Sequence, residues 1–116
     1  MALPKIQTLL SALDVERMVD NARQASDLLK ALAQESRLLI LCLLSQGEKS
    51  VGELEEFLSL KQSTVSQQLA RLRLEGLVTS RREGQTIYYT LASADVETIL
   101  DALYDIFCDR KGKRRP

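Results

Sequence analysis

Residues Ser50 to Leu91 read SVGELEEFLSLKQSTVSQQLARLRLEGLVTSRREGQTIYYTL, and partway along the apolar spacing changes from helical to extended. Ser50-Val51-Gly52-Glu53 has the form of a capping box. The Ser50 hydroxyl would accept the Glu53 N–H, and the Glu53 carboxylate would reach back to the first backbone N–H. A short helix follows with Leu54, Phe57 and Leu58 inward, ending near Ser59-Leu60. A second helix runs from about Gln62 to Glu75 and stops at Gly76, with Val65, Leu69 and Leu72 as its buried stripe. Leu77–Arg82 and Gln85–Leu91 are rich in Val, Thr, Ile and Tyr, with Glu83-Gly84 between them, which predicts a β-hairpin. Two short helices joined by a tight turn and followed by a hairpin make a winged helix-turn-helix.

The flanking segments are helical. Between Asp14 and Leu32, Val15, Met18, Val19, Ala22, Ala25, Leu28, Leu29 and Leu32 recur at three- and four-residue spacing, an amphipathic helix. Gln34-Glu35-Ser36 marks a junction. Leu38–Leu44 is apolar all round, so that helix is expected to be buried on most sides, with Gly47 at its C-terminal end. Ser93 caps a last helix lined by Val96, Ile99, Leu100, Leu103 and Phe107. The expected class is mainly α (α+β), with about five helices and one hairpin wing. The chain divides into an arm or short helix at 1–13, one folded domain at 14–110 and a basic tail at 111–116. There are no internal repeats.

Composition narrows the function. A chain of 116 residues is one domain's worth, and 45% apolar with 28% charged residues is ordinary for a globular fold. No apolar run approaches the ~18 residues that span a bilayer, and the N-terminus lacks a signal peptide's basic start and apolar core. The expected location is the cytoplasm. The net charge of zero conceals a separation of charge. Residues 61–82 carry Lys61, Arg71, Arg73, Arg81 and Arg82 against Glu75 alone, and residues 109–116 carry five bases against Asp109. A phosphate backbone responds to that local sign rather than to the total. An enzyme is not expected: the chain has no His, no Cys-x-x-Cys and no Gly-rich cofactor loop, and no cofactor is implied.

The second helix of the motif is built to read double-stranded DNA. With Val65, Leu69 and Leu72 inward, Ser63, Gln67, Ala70 and Arg71 face outward, and Thr64, Ser66 and Gln68 lie on the flanks. No acid occurs between Lys61 and Leu74. Gln67 can pair with adenine, and Arg71 with guanine or phosphate. Gln62, Ser63 and Thr64 sit at the helix N-terminus, where hydroxyls and free N–H groups bind phosphate oxygens. Arg81 and Arg82 are expected at the wing tip for backbone or minor-groove contact. A solvated helix face or a protein-interaction winged helix is the competing reading.

Several runs together resemble the ArsR-type winged-helix repressors. They are Ala31-Leu32-Ala33, Arg37-Leu38, Ile40-Leu41, Ser50-Val51-Gly52-Glu53-Leu54, Gln62 to Leu69, Leu72-Arg73, Glu75-Gly76-Leu77-Val78, Arg81-Arg82-Glu83-Gly84 and Tyr88-Tyr89. The resemblance covers residues 20 to 108. It implies a homodimer built on the first and last helices, an inverted-repeat operator and repression relieved by an inducer. One departure stands in the recognition helix: Lys61 occupies the capping place that relatives give to Ser, and it can offer a phosphate contact instead.

Many such repressors sense metals, and this sequence lacks the means. There is no Cys around Glu53-Leu54-Glu55-Glu56, no His for a site on the last helix, and no metal site is expected. The two cysteines, Cys42 and Cys108, lie outside the reading segment. Each alone reads as a small core hydrophobe. As a pair, Ile40-Leu41-Cys42 and Tyr104-Asp105-Ile106-Phe107-Cys108 resemble the persulfide- and sulfide-responsive branch of the family. That resemblance implies that Cys42 and Cys108 react with sulfane-sulfur donors such as persulfides and release DNA once bridged. The alternative is a repressor responding to general oxidants or to a metal ion.

Overall fold

The computed structural model describes residues 12–109. Most of the N-terminal arm and the basic tail at 111–116 lie outside the described residues.

The chain forms two compact units, divided after Gln34. The first contains α1 (Ala12–Leu32), the amphipathic helix expected from Asp14. Val15, Met18, Val19 and Leu29 on it are exposed.

The second unit holds α2 (Glu35–Leu44), β1 (Lys49–Ser50), α3 (Val51–Leu58), α4 (Gln62–Leu74), β2 (Val78–Glu83), β3 (Thr86–Leu91) and α5 (Ala94–Tyr104), which ends in a widened π-helical turn, Asp105–Asp109. Each boundary has a local cause. The capping box at Ser50 is formed: Glu53 N–H donates to Ser50 Oγ at 3.1 Å, and Ser50 N–H donates to Glu53 Oε1 at 2.8 Å. Ser59 ends α3 in the left-handed region, φ 55°, and donates its N–H to the Glu55 carbonyl. Gly76, φ 79°, ends α4: its N–H reaches the Arg73 carbonyl and Leu77 N–H reaches Leu72, a Schellman closure. Ser93 Oγ accepts the Val96 N–H and starts α5.

The sheet order is β1-β3-β2, antiparallel throughout. Glu83 pairs with Thr86, so the two-residue turn is Gly84-Gln85, one residue later than the sequence suggests. Gly84 has φ 67° and Gln85 does not enter the positive region, the arrangement of a type II′ hairpin with glycine first. β1 is an addition to the expected hairpin. It pairs only Lys49 with Tyr89 and Ser50 with Tyr88.

Ile40, Leu41, Leu44, Leu54, Val65, Leu69, Leu72, Val78, Val96 and Leu100 form the core of this unit. Burial of each large aliphatic side chain is worth about 1.5–3 kcal/mol. Two expectations about this core need correction. Phe57 is 64% exposed, because α3 has only two turns and Leu54 and Leu58 already occupy its inner face. The Leu38–Leu44 run is buried on one side only: Leu39 and Cys42 face outward while Ile40, Leu41 and Leu44 face in. Cys42 is therefore not a core thiol.

Candidate nucleic-acid interface and thiol cavity

α4 presents the face that its sequence implies. Val65, Leu69 and Leu72 are fully buried, whereas Ser63, Ser66, Gln67, Ala70 and Arg71 are exposed. Lys61 stands at the N-cap without a side-chain cap, so no side chain occupies the first N–H groups of α4. Arg71 reaches Glu75 one turn on, Nε to Oε2 at 3.4 Å, a weak exposed pair that leaves the guanidinium able to turn to another anion.

Two of the expected contact residues have other partners. Gln68 is half-buried and tied to α2. Arg37 Nε donates to Gln68 Oε1 at 3.0 Å, and Gln68 Nε2 donates to Ser36 Oγ at 3.5 Å. The amide thus joins the recognition helix to the N-terminus of α2. Arg81 does not stand at the wing tip. It lies opposite Tyr88 within the ladder, with its guanidinium 4.8 Å from that ring's centre. From there it donates two hydrogen bonds to Glu48, at 2.7 and 2.8 Å, and one to Glu83 at 2.8 Å. These bonds hold the Glu48 carboxyl below the usual carboxylate range. Arg81 is a staple that spans the sheet from β2 to the segment before β1. Arg82, exposed and without an ion pair among the described residues, lies nearer the tip.

A cleft of about 460 Å³ opens between the wing and the N-termini of α3 and α4. Ser50, Gly52, Gln62, Ser66, Gln85, Thr86 and Tyr89 line it. Only Gln62 and Ser66 among these are legible as contact residues from sequence. The others belong to the cleft because the hairpin folds back beside α4, a long-range consequence that local pattern does not contain.

The second site is a cavity of about 300 Å³ between α2 and the C-terminal helix. Leu38 and Cys42 form one wall; Leu100, Leu103, Tyr104, Phe107 and Cys108 form the other, and no polar surface lines it. The two thiols, near opposite ends of this unit's sequence, thus open onto one space. Both cysteines are free. Loss of water around Cys42, and secondarily the charge of a Cys108 thiolate, push the Cys42 thiol above its ordinary pKa. The second cause operates only where the two sulfurs lie within electrostatic reach. Cys108 reaches the cavity from the π-helical turn, whose wider winding has no signature in the sequence. Among the described residues no group of three His, Cys, Asp or Glu side chains could hold a metal ion, and no helix is long and apolar enough to cross a membrane.

Residues 34–80 match the model of the bacterial regulatory protein arsR family. The chain is 47% identical over 96 residues to the transcriptional activator HlyU of Vibrio cholerae, covering 83% of this chain and 89% of that protein. It is 48% identical over 91 residues to a biofilm growth-associated repressor of Agrobacterium fabrum, covering 78% of each. The structure of reduced HlyU from V. cholerae superposes with a TM-score of 0.77 at 48% identity, over 80% of this chain and 98% of that one. A homodimeric winged helix-turn-helix DNA-binding domain from Mycobacterium bovis superposes with a TM-score of 0.67 at 35% identity, over 85% and 91%.

Proposed function

The chain belongs to the arsR family of bacterial regulatory proteins and is a DNA-binding transcriptional regulator, and on that premise we propose that it is a cytoplasmic repressor that releases its operator when Cys42 and Cys108 become linked through sulfane sulfur. The observation that carries this reading is the shared cavity: the two cysteines of the sequence open onto one apolar space, outside the DNA-reading face. A regulatory dithiol requires that placement. A pair of core thiols would not have it.

The operator is an inverted repeat read by a homodimer, with α1 and the last helix as the dimer surface. The exposed Val15, Met18, Val19 and Leu29 of α1, and Tyr104 and Phe107 at the C-terminal end, are apolar groups that a partner would cover. Lys61, Gln62, Ser63, Thr64, Ser66, Gln67, Arg71 and Arg82 contact the operator. Gln67 and Arg71 read base edges, and the others fix register on phosphates. Gln68 and Arg81 act at one remove, by holding the recognition helix and the wing.

One thiolate attacks the sulfane sulfur, and the second closes the bridge. Each inserted sulfur lengthens the link by up to about 2 Å, so a polysulfide can span thiols that a disulfide would strain. A coupling of about 1–3 kcal/mol then changes operator affinity roughly 5- to 150-fold.

The test combines operator binding with intact-protein mass spectrometry after exposure to a persulfide donor, to peroxide and to metal salts. A Cys42–Cys108 link heavier than a disulfide by one or two sulfur atoms, formed together with release of DNA, is the expected result. Cys42→Ser should stay on the operator under the same persulfide. Release of DNA by that variant would refute the mechanism.

A further inference from the structure

The thiol cavity differs from its surroundings in one respect that bears on what can enter it. Its walls are carbon and two sulfur atoms, and at about 300 Å³ it falls at the small end of ligand sites. A charged or zwitterionic group placed against such walls loses its water and gains no hydrogen bond in return. The helix that carries Cys108 adds a sign. From Ala94 to Asp109 it holds Asp95, Glu97, Asp101, Asp105 and Asp109 and no base before Arg110. An anionic donor approaching along that helix meets like charge.

Resting on the dithiol reading above, we infer that this cavity is a binding site for small, neutral, apolar sulfane-sulfur carriers, of the diorganyl trisulfide class, and discriminates against carriers whose organic group is charged. The alkyl groups lie against Leu38, Leu103 and Tyr104, and the sulfur chain lies between Cys42 and Cys108. One cysteine thiolate attacks the central sulfur of R–S–S–S–R. One S–S bond breaks, R–S⁻ leaves, and it takes up the proton that the thiol released. The second cysteine thiolate attacks the same sulfur from across the cavity and expels the second R–S⁻, which is protonated likewise. The products are Cys42–S–Cys108 linked as a trisulfide and two molecules of R–SH. The two cysteine sulfurs are oxidised and the donor is reduced, so the step needs no further oxidant.

The experiment measures second-order rates of bridging in the reduced full-length protein, by intact mass, with dipropyl trisulfide and with glutathione trisulfide. Each rate is divided by the rate of the same donor with N-acetylcysteine, which removes intrinsic reactivity. A normalised preference of about tenfold or more for the dipropyl compound is expected, the size of selectivity that apolar packing supplies. Leu103→Glu should abolish that preference. Tyr104→Ala, which changes a side chain already 61% exposed and puts little of the fold at risk, should reduce it. Equal normalised rates with both donors, each giving the trisulfide bridge, would overturn the assignment of donor class and leave the dithiol reading intact. Failure of either donor to bridge the cysteines would overturn both.

Discussion

The DNA-reading segment and the thiol cavity divide the unit from Glu35 onward into two regions built on opposite plans. In the reading segment every polar group proposed for DNA stands outside a filled core: Val65, Leu69 and Leu72 are fully buried beneath Ser63, Gln67 and Arg71. Function and stability therefore rest on different side chains. In the cavity region they rest on the same ones, since Leu100, buried in the core, also lines the space between the thiols. The first plan lets the outer face change while the fold stays. The second makes the sensing site an unfilled part of the core itself, where a new covalent link must move packed helices.

The largest effect should follow from striking the reading segment beneath its surface. Leu69→Ala removes a fully buried side chain at the contact of α3 and α4 and should cost about 2–5 kcal/mol, seen as a lower urea midpoint. Cys42→Ser, at an exposed position, should leave that midpoint close to wild type. A Cys42→Ser loss comparable to that of Leu69→Ala would erase the contrast between the regions.

Next in size is the outer face. Gln67→Ala and Arg71→Ala should each weaken operator binding by about 1–3 kcal/mol at fixed salt, with no change in the urea midpoint. Binding that survives both substitutions would return α4 to the status of a solvated helix.

The capping box gives a smaller and purely structural effect. Ser50→Ala removes the acceptor of the Glu53 N–H and should cost about 1 kcal/mol of stability. Because Ser50 also lines the cleft beside the wing, operator affinity sharpens the test: a loss in affinity beyond the loss in folded fraction would place Ser50 on the DNA as well.

These plans also explain what the sequence disclosed. The reading segment was legible nearly throughout because its signals are local: a capping box, an i, i+4, i+7 stripe, and glycine where φ must be positive. Its errors came where a partner lies far along the chain. Arg81 resembles a wing-tip cation until Glu48 is brought across the sheet to meet it, and Gln68 resembles a base reader until Arg37 arrives from α2. The cavity was legible only through resemblance. An unbroken apolar run at Leu38–Leu44 suggests burial all round, but a helix at the margin of a small unit has neighbours on one side, which leaves Cys42 open. The convergence of Leu38 with Leu103 and Phe107 depends on the packing of distant helices and on a π-helical turn, neither of which has a period to detect.

The link between the regions passes through α2, which carries Cys42 at one end and grips Gln68 of α4 at the other. If that grip transmits the signal, Gln68→Ala should reduce the ratio of operator affinities before and after bridging, whatever it does to either affinity alone. An unchanged ratio would assign the grip to static support of the recognition helix.

The smallest effect concerns the thiols themselves. Thiolate is the reactive form, and the Cys42 thiol lies above its ordinary pKa. In a Cys108→Ser protein, alkylation of Cys42 should therefore be slower than that of a free cysteine near neutral pH. It should keep rising with pH after the free thiol has levelled off. Restoring Cys108 should displace the Cys42 profile further to the alkaline side, because a neighbouring thiolate disfavours a second negative charge. That added displacement should be the lesser part, since loss of water is the larger cause. Coincident Cys42 profiles with and without Cys108 would mean that the two sulfurs do not sense each other's charge, and the bridge would then require the helices to move before it could form.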